Sequence, residues 1–273
     1  MSRHTLRLRL VGALVCALLS ESGALAEDGT PPTLSPPDLV KQANAPISSV
    51  LQVRLQDSYA PHFTGVSGQG NTFTIGLTMP LPEYRLLPFP QLSLLTIPAA
   101  ITVPGGMTGF GDLHFVDIVV LNAGHRVLWG VGPTFTFPTA TDPLLGNGMY
   151  SAGPALVGLT MQGHWVVGAL ANNQWSYAGW GSKSVNAFLI QPFINYNFGH
   201  GWYVTTSPIM TANWKAPHDN MWVVPVGGGF GKVQKFGKLP VNIQLSAYYN
   251  AVTPKDFGAD WQLRFQFVFM FPK

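Results

Sequence analysis

The residues that could do chemistry in this 273-residue chain are seven histidines, one cysteine and a thin scatter of acids and bases. Cys16 lies in a stretch expected to be removed, so disulfides, thiol catalysis and thiolate metal sites are excluded from the mature chain. His4 lies in the same stretch. His125, His164 and His200 fall at expected short turns, and His62 and His218 in longer loops. None forms a close pair with metal-ligand spacing, so they read as solvated loop residues, with no metal site and no call for a cofactor. Asp112 and His114 share one strand face at i and i+2, where a hydrogen bond is a simpler expectation than a catalytic pair. No serine alternates with a histidine along one strand, as a serine hydrolase built on a single strand would need. Gly227-Gly228-Gly229 opens no helix and is no phosphate loop; a bulge or a close backbone approach is expected there. Pro138-Thr139-Ala140-Thr141-Asp142 reads as a turn held by Thr and Asp side chains on nearby backbone N–H groups, with a divalent-cation site at Asp142 the weaker alternative. Two cations stand in matching settings: Arg54 between Gln52 and Gln56, and Arg264 between Gln262 and Gln266.

The elements that must position these residues follow from composition. The chain is 47% hydrophobic and 10% charged, against the about 25% charged residues of soluble domains. Past residue 26 no apolar run approaches the roughly 20 residues of a spanning helix. Thirty glycines and 23 prolines spread along the chain favour short strands joined by turns. Residues 1–26 read as a secretory signal: Arg3, Arg7 and Arg9, then Leu10 to Leu19, then an Ala24-Leu25-Ala26 cleavage site. A lipoprotein signal at Cys16 is the weaker alternative. Removing the signal takes three of the 15 basic and one of the 12 acidic residues, leaving 12 and 11, so nothing suggests nucleic-acid binding. Residues 27–46, with Pro31-Pro32 and Pro36-Pro37, form a separate extended segment.

From residue 47 onward, apolar and polar residues alternate with period 2 in twelve segments. The clearest is the last, where Trp261, Leu263, Phe265, Phe267, Phe269 and Phe271 oppose Gln262, Arg264 and Gln266. Leu51, Val53 and Leu55 oppose Gln52, Arg54 and Gln56; Val241, Ile243 and Leu245 oppose Asn242, Gln244 and Ser246. Short and long links mostly alternate, as they do in outer-membrane barrels, and the link from Pro80 to Pro90 fits this poorly. Trp129, Trp165, Trp175, Trp202, Trp222 and Trp261 lie near strand ends and are expected to form membrane-interface girdles. Pro98, Pro133, Pro154, Pro192, Pro208 and Pro225 fall inside strands, where a closed sheet has no free edge to excuse a missing N–H. Pro133 and Pro154 lie equally far from the middle of the 138–151 link and are expected to meet across a hairpin at a shared kink; the other four have no sequence explanation. Asp117 shares a phase with Leu113 and Phe115 and would face lipid, which points to a bulge or to a different phase.

A resemblance rests on Trp129-Gly130-Val131-Gly132-Pro133, on Phe137 to Asp142, on Leu145-Gly146-Asn147-Gly148, on Ala152-Gly153-Pro154-Ala155, on Gly168-Ala169-Leu170 with Asn173 to Ser176, on Gln191 to Tyr196 and on Trp261 to Gln266. Gly109 to Leu113 is similar to a GLGDL segment, with Phe110 in place of a leucine. Over residues 38–273 the chain resembles the bacterial outer-membrane family labelled "MetA-pathway of phenol degradation" or "transporter", some of whose members are misnamed neuromedin U. The resemblance implies an outer-membrane β-barrel and says little about the solute.

The expected protein is all-β: one antiparallel outer-membrane barrel of about twelve strands over residues 47–273, both ends periplasmic, in the outer membrane of a Gram-negative bacterium. Its expected function is passive passage of small solutes, aromatic or hydrophobic ones included, rather than catalysis; a barrel-type lipid enzyme or a closed structural barrel is the alternative. Gln52, Arg54, Gln56, Gln191, Asn242, Gln244, Gln262, Arg264 and Gln266 are the expected lumen lining. The expected partners are outer-membrane lipid, the solute, and the barrel-assembly machinery, reached through the C-terminal strand.

Overall fold

A computed structural model describes residues 50–81, 89–122, 126–182 and 184–272. Twelve strands form the wall: β1 (Leu51–Ala60), β2 (Gly70–Leu81), β3 (Gln91–Thr102), β4 (Leu113–Val120), β5 (Val127–Phe137), β6 (Met149–Gln162), β7 (Trp165–Gly179), β8 (Asn186–Gly199), β9 in two pieces (Trp202–Thr206 and Met210–Asn213), β10 (Trp222–Phe236), β11 (Leu239–Val252) and β12 (Trp261–Phe271). Each pairs antiparallel with its neighbour in the chain, and β12 pairs with β1 from Leu51↔Phe271 to Tyr59↔Leu263, so the sheet closes. Closure leaves no strand edge, which is what a β-structure needs in a medium without hydrogen-bonding solvent. The expected signal and N-terminal segment lie outside the described residues.

The links sort by end. The end at which β1 begins and β12 stops has the two-residue turns Gly163-His164, His200-Gly201 and Gly237-Lys238. His200 (φ 51°) and Gly201 (φ 83°) both take the left-handed conformation of a type I′ turn, whose twist matches its flanking strands. The third turn corrects the sequence reading, which ends one strand at residue 231 and starts the next at 241: the hairpin runs to Phe236 and resumes at Leu239. The six links at the opposite end, 61–69, 103–112, 138–148, 180–185, 214–221 and 253–260, are all longer. Most of the Pro80–Pro90 link, and His125, lie outside the described residues.

The six prolines that the sequence reading places inside strands all sit where ladder bonding is interrupted or bent. Pro133 lies directly opposite Pro154, and β4 and β5 lose their pairing beside them, at Asp117 and Ile118. A Cβ on Gly132 would collide with the Asp117 carbonyl, and one on Gly153 with the Asn173 carbonyl, so glycine lets the strands close up at this kink. Pro98 adjoins the β2–β3 register shift, and Pro225 the β10–β11 shift. Pro208 occupies the break in β9, and the register on either side of that break, Ile194↔Thr206 and Ile190↔Met210, brings Pro192 opposite it. A bulge or break removes the demand for the N–H that proline lacks.

Asp117 departs from both expectations. The β4–β5 register is the same above and below it, so there is no bulge, and its phase is that of Phe115, whose partner Phe135 faces outward. It sits on the outer face, where Ser93 Oγ of β3 donates to Asp117 Oδ1 at 2.7 Å. That bond, beside the unpaired Pro133 position, offsets part of the cost of a carboxylate on a lipid-side wall.

Candidate functional site: the barrel lumen

Alternation places all nine expected lining residues on the inner face. Gln56 and Gln266 are direct cross-strand partners, as are Gln244 and Gln266, and Ser246 and Arg264. Gln266 Nε2 donates to Gln244 Oε1 at 3.0 Å, Gln244 Nε2 to Ser246 Oγ at 2.9 Å and Gln56 Nε2 to Ser58 Oγ at 3.2 Å. The result is a polar ladder along β11, β12 and β1.

Three residues missed at the sequence level complete it. The Tyr203 hydroxyl, fully buried, lies 2.7 Å from Asn242 Oδ1 and 3.0 Å from Gln244 Oε1. Ser207, in the break of β9, takes a bond from Gln191 Nε2 to its Oγ (2.8 Å), and its N–H donates to the Tyr248 hydroxyl (3.1 Å). Its carbonyl accepts from Arg264 Nη1 at 3.2 Å. Because β10 and β11 stand between β9 and β12 in the wall, that last bond crosses the inside of the barrel. Tyr203 could have been found from the sequence, since it alternates with Trp202 and Val204 in phase with Thr205. The break in β9 left no signal beyond Pro208.

The two arginines differ. Arg264 is 3% exposed; besides Ser207 it donates from Nη2 to Gln262 Oε1 at 3.0 Å, and its guanidinium lies 4.9 Å from the Tyr248 ring centre. Arg54 is half-buried and makes no such bonds: its Nε, like that of Arg264, is buried without a partner, but its Nη atoms have none either, and the group lies over Gly76, where a Cβ would stand 3.0 Å from Nε and 3.1 Å from Nη2. Its charged neighbour is Arg264. The only acids within the strands, Asp57 and Asp117, have outer-face phase. Between its rims, and among the described residues, the inner face therefore carries two cations and no carboxylate. Toward the end at which β1 begins, Val50, Tyr203, Val233, Val268 and Met270 form a buried cluster that narrows the interior.

At the opposite rim the loops are tied down. Asp112, buried, accepts from the backbone N–H of Ala140 (Oδ1, 3.1 Å) and Asn147 (Oδ2, 2.8 Å). His114 bonds Thr136 Oγ1 at 2.8 Å instead of Asp112, which corrects the expected Asp112–His114 bond. The carboxylate is taken up by the 138–148 loop. Thr139 and Thr141 reach across to Gly111, Leu113 and Phe110 rather than to local N–H groups, while Asp142 accepts from Leu144 two residues on. Loops 61–69, 214–221 and 253–260 form a second cluster. Phe63–Thr64 pairs with Gly258–Ala259, His62 meets Asp260 at 2.5 Å, and Lys255 Nζ donates to Asp219 at 2.8 Å. That bond holds Asp219 below the usual carboxylate range and Lys255 above the usual lysine range.

The six tryptophans divide evenly by level. Trp129, Trp165 and Trp202 stand at or near strand starts at the end where β1 begins, while Trp175, Trp222 and Trp261 stand toward the loop end. Gly228, Phe230, Leu245, Ala247 and Leu263 line an apolar depression beside Gly229. The glycine triplet is a close approach: a Cβ on Gly227 or Gly229 would collide with the Ala247 or Leu245 carbonyl.

No family model matches the chain, and no curated protein matches it. Among solved structures it is similar to an outer membrane channel from Pseudomonas putida: TM-score 0.55, 16% identity, 81% of this chain and 94% of that one. The outer membrane phospholipase A of Escherichia coli aligns at TM-score 0.39 and 11% identity, over 81% of this chain and 98% of that one, too loosely to bear on fold or function. With the closed twelve-strand sheet, the first likeness establishes an all-β antiparallel barrel of the outer-membrane type.

Proposed function

We propose that the chain is an outer-membrane channel for passive passage of small solutes, with its termini on the periplasmic side. The observation that carries this reading is the inner face: a continuous amide and hydroxyl ladder with a half-buried guanidinium that none of the described residues satisfies. An interior serving only as a core would pair or exclude that charge. The fold likeness to a solved channel supports the reading. The buried cluster around Tyr203 and Met270 favours the rival, a closed structural barrel. Planar-bilayer recording of the purified protein separates them: discrete conductance steps support the channel, and a folded, heat-modifiable protein without conductance supports the closed barrel.

Aromatic or hydrophobic molecules are among the proposed solutes, and uptake of such solutes into liposomes tests that part. Assembly into the outer membrane runs through β12, whose Phe271 faces outward opposite Leu51. Phe271→Asp is expected to abolish insertion, seen as loss of the heat-modifiable band; normal assembly of that variant would remove the C-terminal strand from the account.

A further inference from the structure

Resting on the channel reading, we propose that Arg54 is the docking cation of a saturable lumen site for small organic carboxylates. Four observations converge. First, the guanidinium has no hydrogen-bond partner among the described residues, whereas Arg264, in the same sequence setting, has two plus an aromatic ring. An unpaired cation beside a second cation raises the free energy of the folded state, and such a locally unfavourable feature is expected where function requires it. Second, no carboxylate competes among the described residues: Asp112 is bound to the 138–148 loop, and Asp57 and Asp117 have outer-face phase. Third, glycine at position 76 lets the planar group lie flat against β2. A guanidinium held in this way presents its N–H fork to a carboxylate in bidentate geometry and its face to a flat solute. Fourth, the partner pair Gln56 and Gln266 stands between the two arginines along β1 and β12. Both amides donate elsewhere, to Ser58 and Gln244, and no bond to either amide oxygen is seen, leaving acceptors for a hydroxyl or amide of the solute.

Arg264 is not interchangeable with Arg54 in this role, because its Nη atoms are already committed to Ser207 and Gln262. Its charge adds to the local positive potential without supplying the contact.

The test is isothermal titration of the full-length protein in detergent with benzoate and with benzamide, which share a shape and differ in charge. Wild type is expected to bind benzoate saturably and at least tenfold more tightly than benzamide. Arg54→Gln should lose that preference, and Arg54→Lys, which keeps the charge but not the fork, should retain only part of it. Heat-modifiability on a denaturing gel certifies each variant as folded. Equal binding of the two probes by wild type, or an undiminished benzoate preference in folded Arg54→Gln, would overturn the proposal. Carboxylate binding without conductance would leave this site standing while the channel reading fell; conductance without carboxylate binding would do the reverse.

Discussion

Arg54 and Arg264 have the same neighbours in sequence and stand on adjacent strands, yet the barrel uses them differently. Arg264 faces the break in β9, where a carbonyl freed from the ladder needs a donor, and it ties Ser207 to β12 across two intervening strands. Arg54 faces Gly76, which offers neither acceptor nor side chain, and it stays open. What an inward arginine does in a barrel is set by the strand it faces and not by the alternation that turns it inward. Here the cation meeting interrupted backbone becomes a brace, and the cation meeting an intact ladder is left without a partner.

The largest expected effect separates the two directly. Arg264→Gln removes two charge-assisted bonds and a ring contact and leaves the Ser207 carbonyl unsatisfied, a loss of about 2–4 kcal/mol in urea unfolding. Arg54→Gln is expected to stay within about 1 kcal/mol of wild type or to exceed it, because no bond is lost and a like-charge neighbour is relieved. Equal losses in both variants would erase the distinction. Tyr248→Phe sharpens it on a smaller scale: the ring under Arg264 remains, the acceptor for the Ser207 N–H goes, and about 1 kcal/mol should follow. Asp112→Asn leaves the two Arg positions untouched and is expected to loosen the 138–148 loop, read as faster amide exchange at Ala140 and Asn147; unchanged exchange there would deny Asp112 its anchoring role.

The smallest effect lies outside the membrane wall, in the Asp219–Lys255 tie between loops 214–221 and 253–260. Asp219 is depressed by its bond to Lys255, so its contribution is complete above the ordinary carboxylate range and is lost as pH falls through its lowered value. Lys255 is raised by the same bond, so its contribution is complete below the ordinary lysine range and is lost as pH rises through its raised value. Amide exchange at Lys255 and Asp256 is therefore expected to be flat across neutral pH and to accelerate in acid and in strong alkali. Lys255→Met should remove both limbs, and a protection step between pH 6 and 8 would assign the tie to another group.

The sheet was legible in the sequence because a closed barrel repeats one simple rule: alternation along each strand, turns at one end and loops at the other. The twelve alternating segments correspond to β1–β12, and Pro133 meets Pro154 as the hairpin symmetry implied. What alternation does not encode is contact between distant strands. The pairing of Pro192 with the β9 break, the bond from Ser93 to Asp117 and the meeting of His62 with Asp260 each join residues that share no local pattern. The inner-face list was readable for the same reason as the sheet. The unequal fates of its two arginines were not, since they depend on Gly76 and Ser207, neither of which announces itself by type or spacing.

The role of Arg54 in an open lumen is tested most directly by the reversal potential of single channels in a potassium chloride gradient, compared between wild type and Arg54→Glu. Wild type is expected to favour chloride, more strongly at low salt where screening is weak, and Arg54→Glu to move the reversal potential toward potassium. An absence of conductance in folded wild type, or an unchanged reversal potential in a folded Arg54→Glu channel, would contradict it.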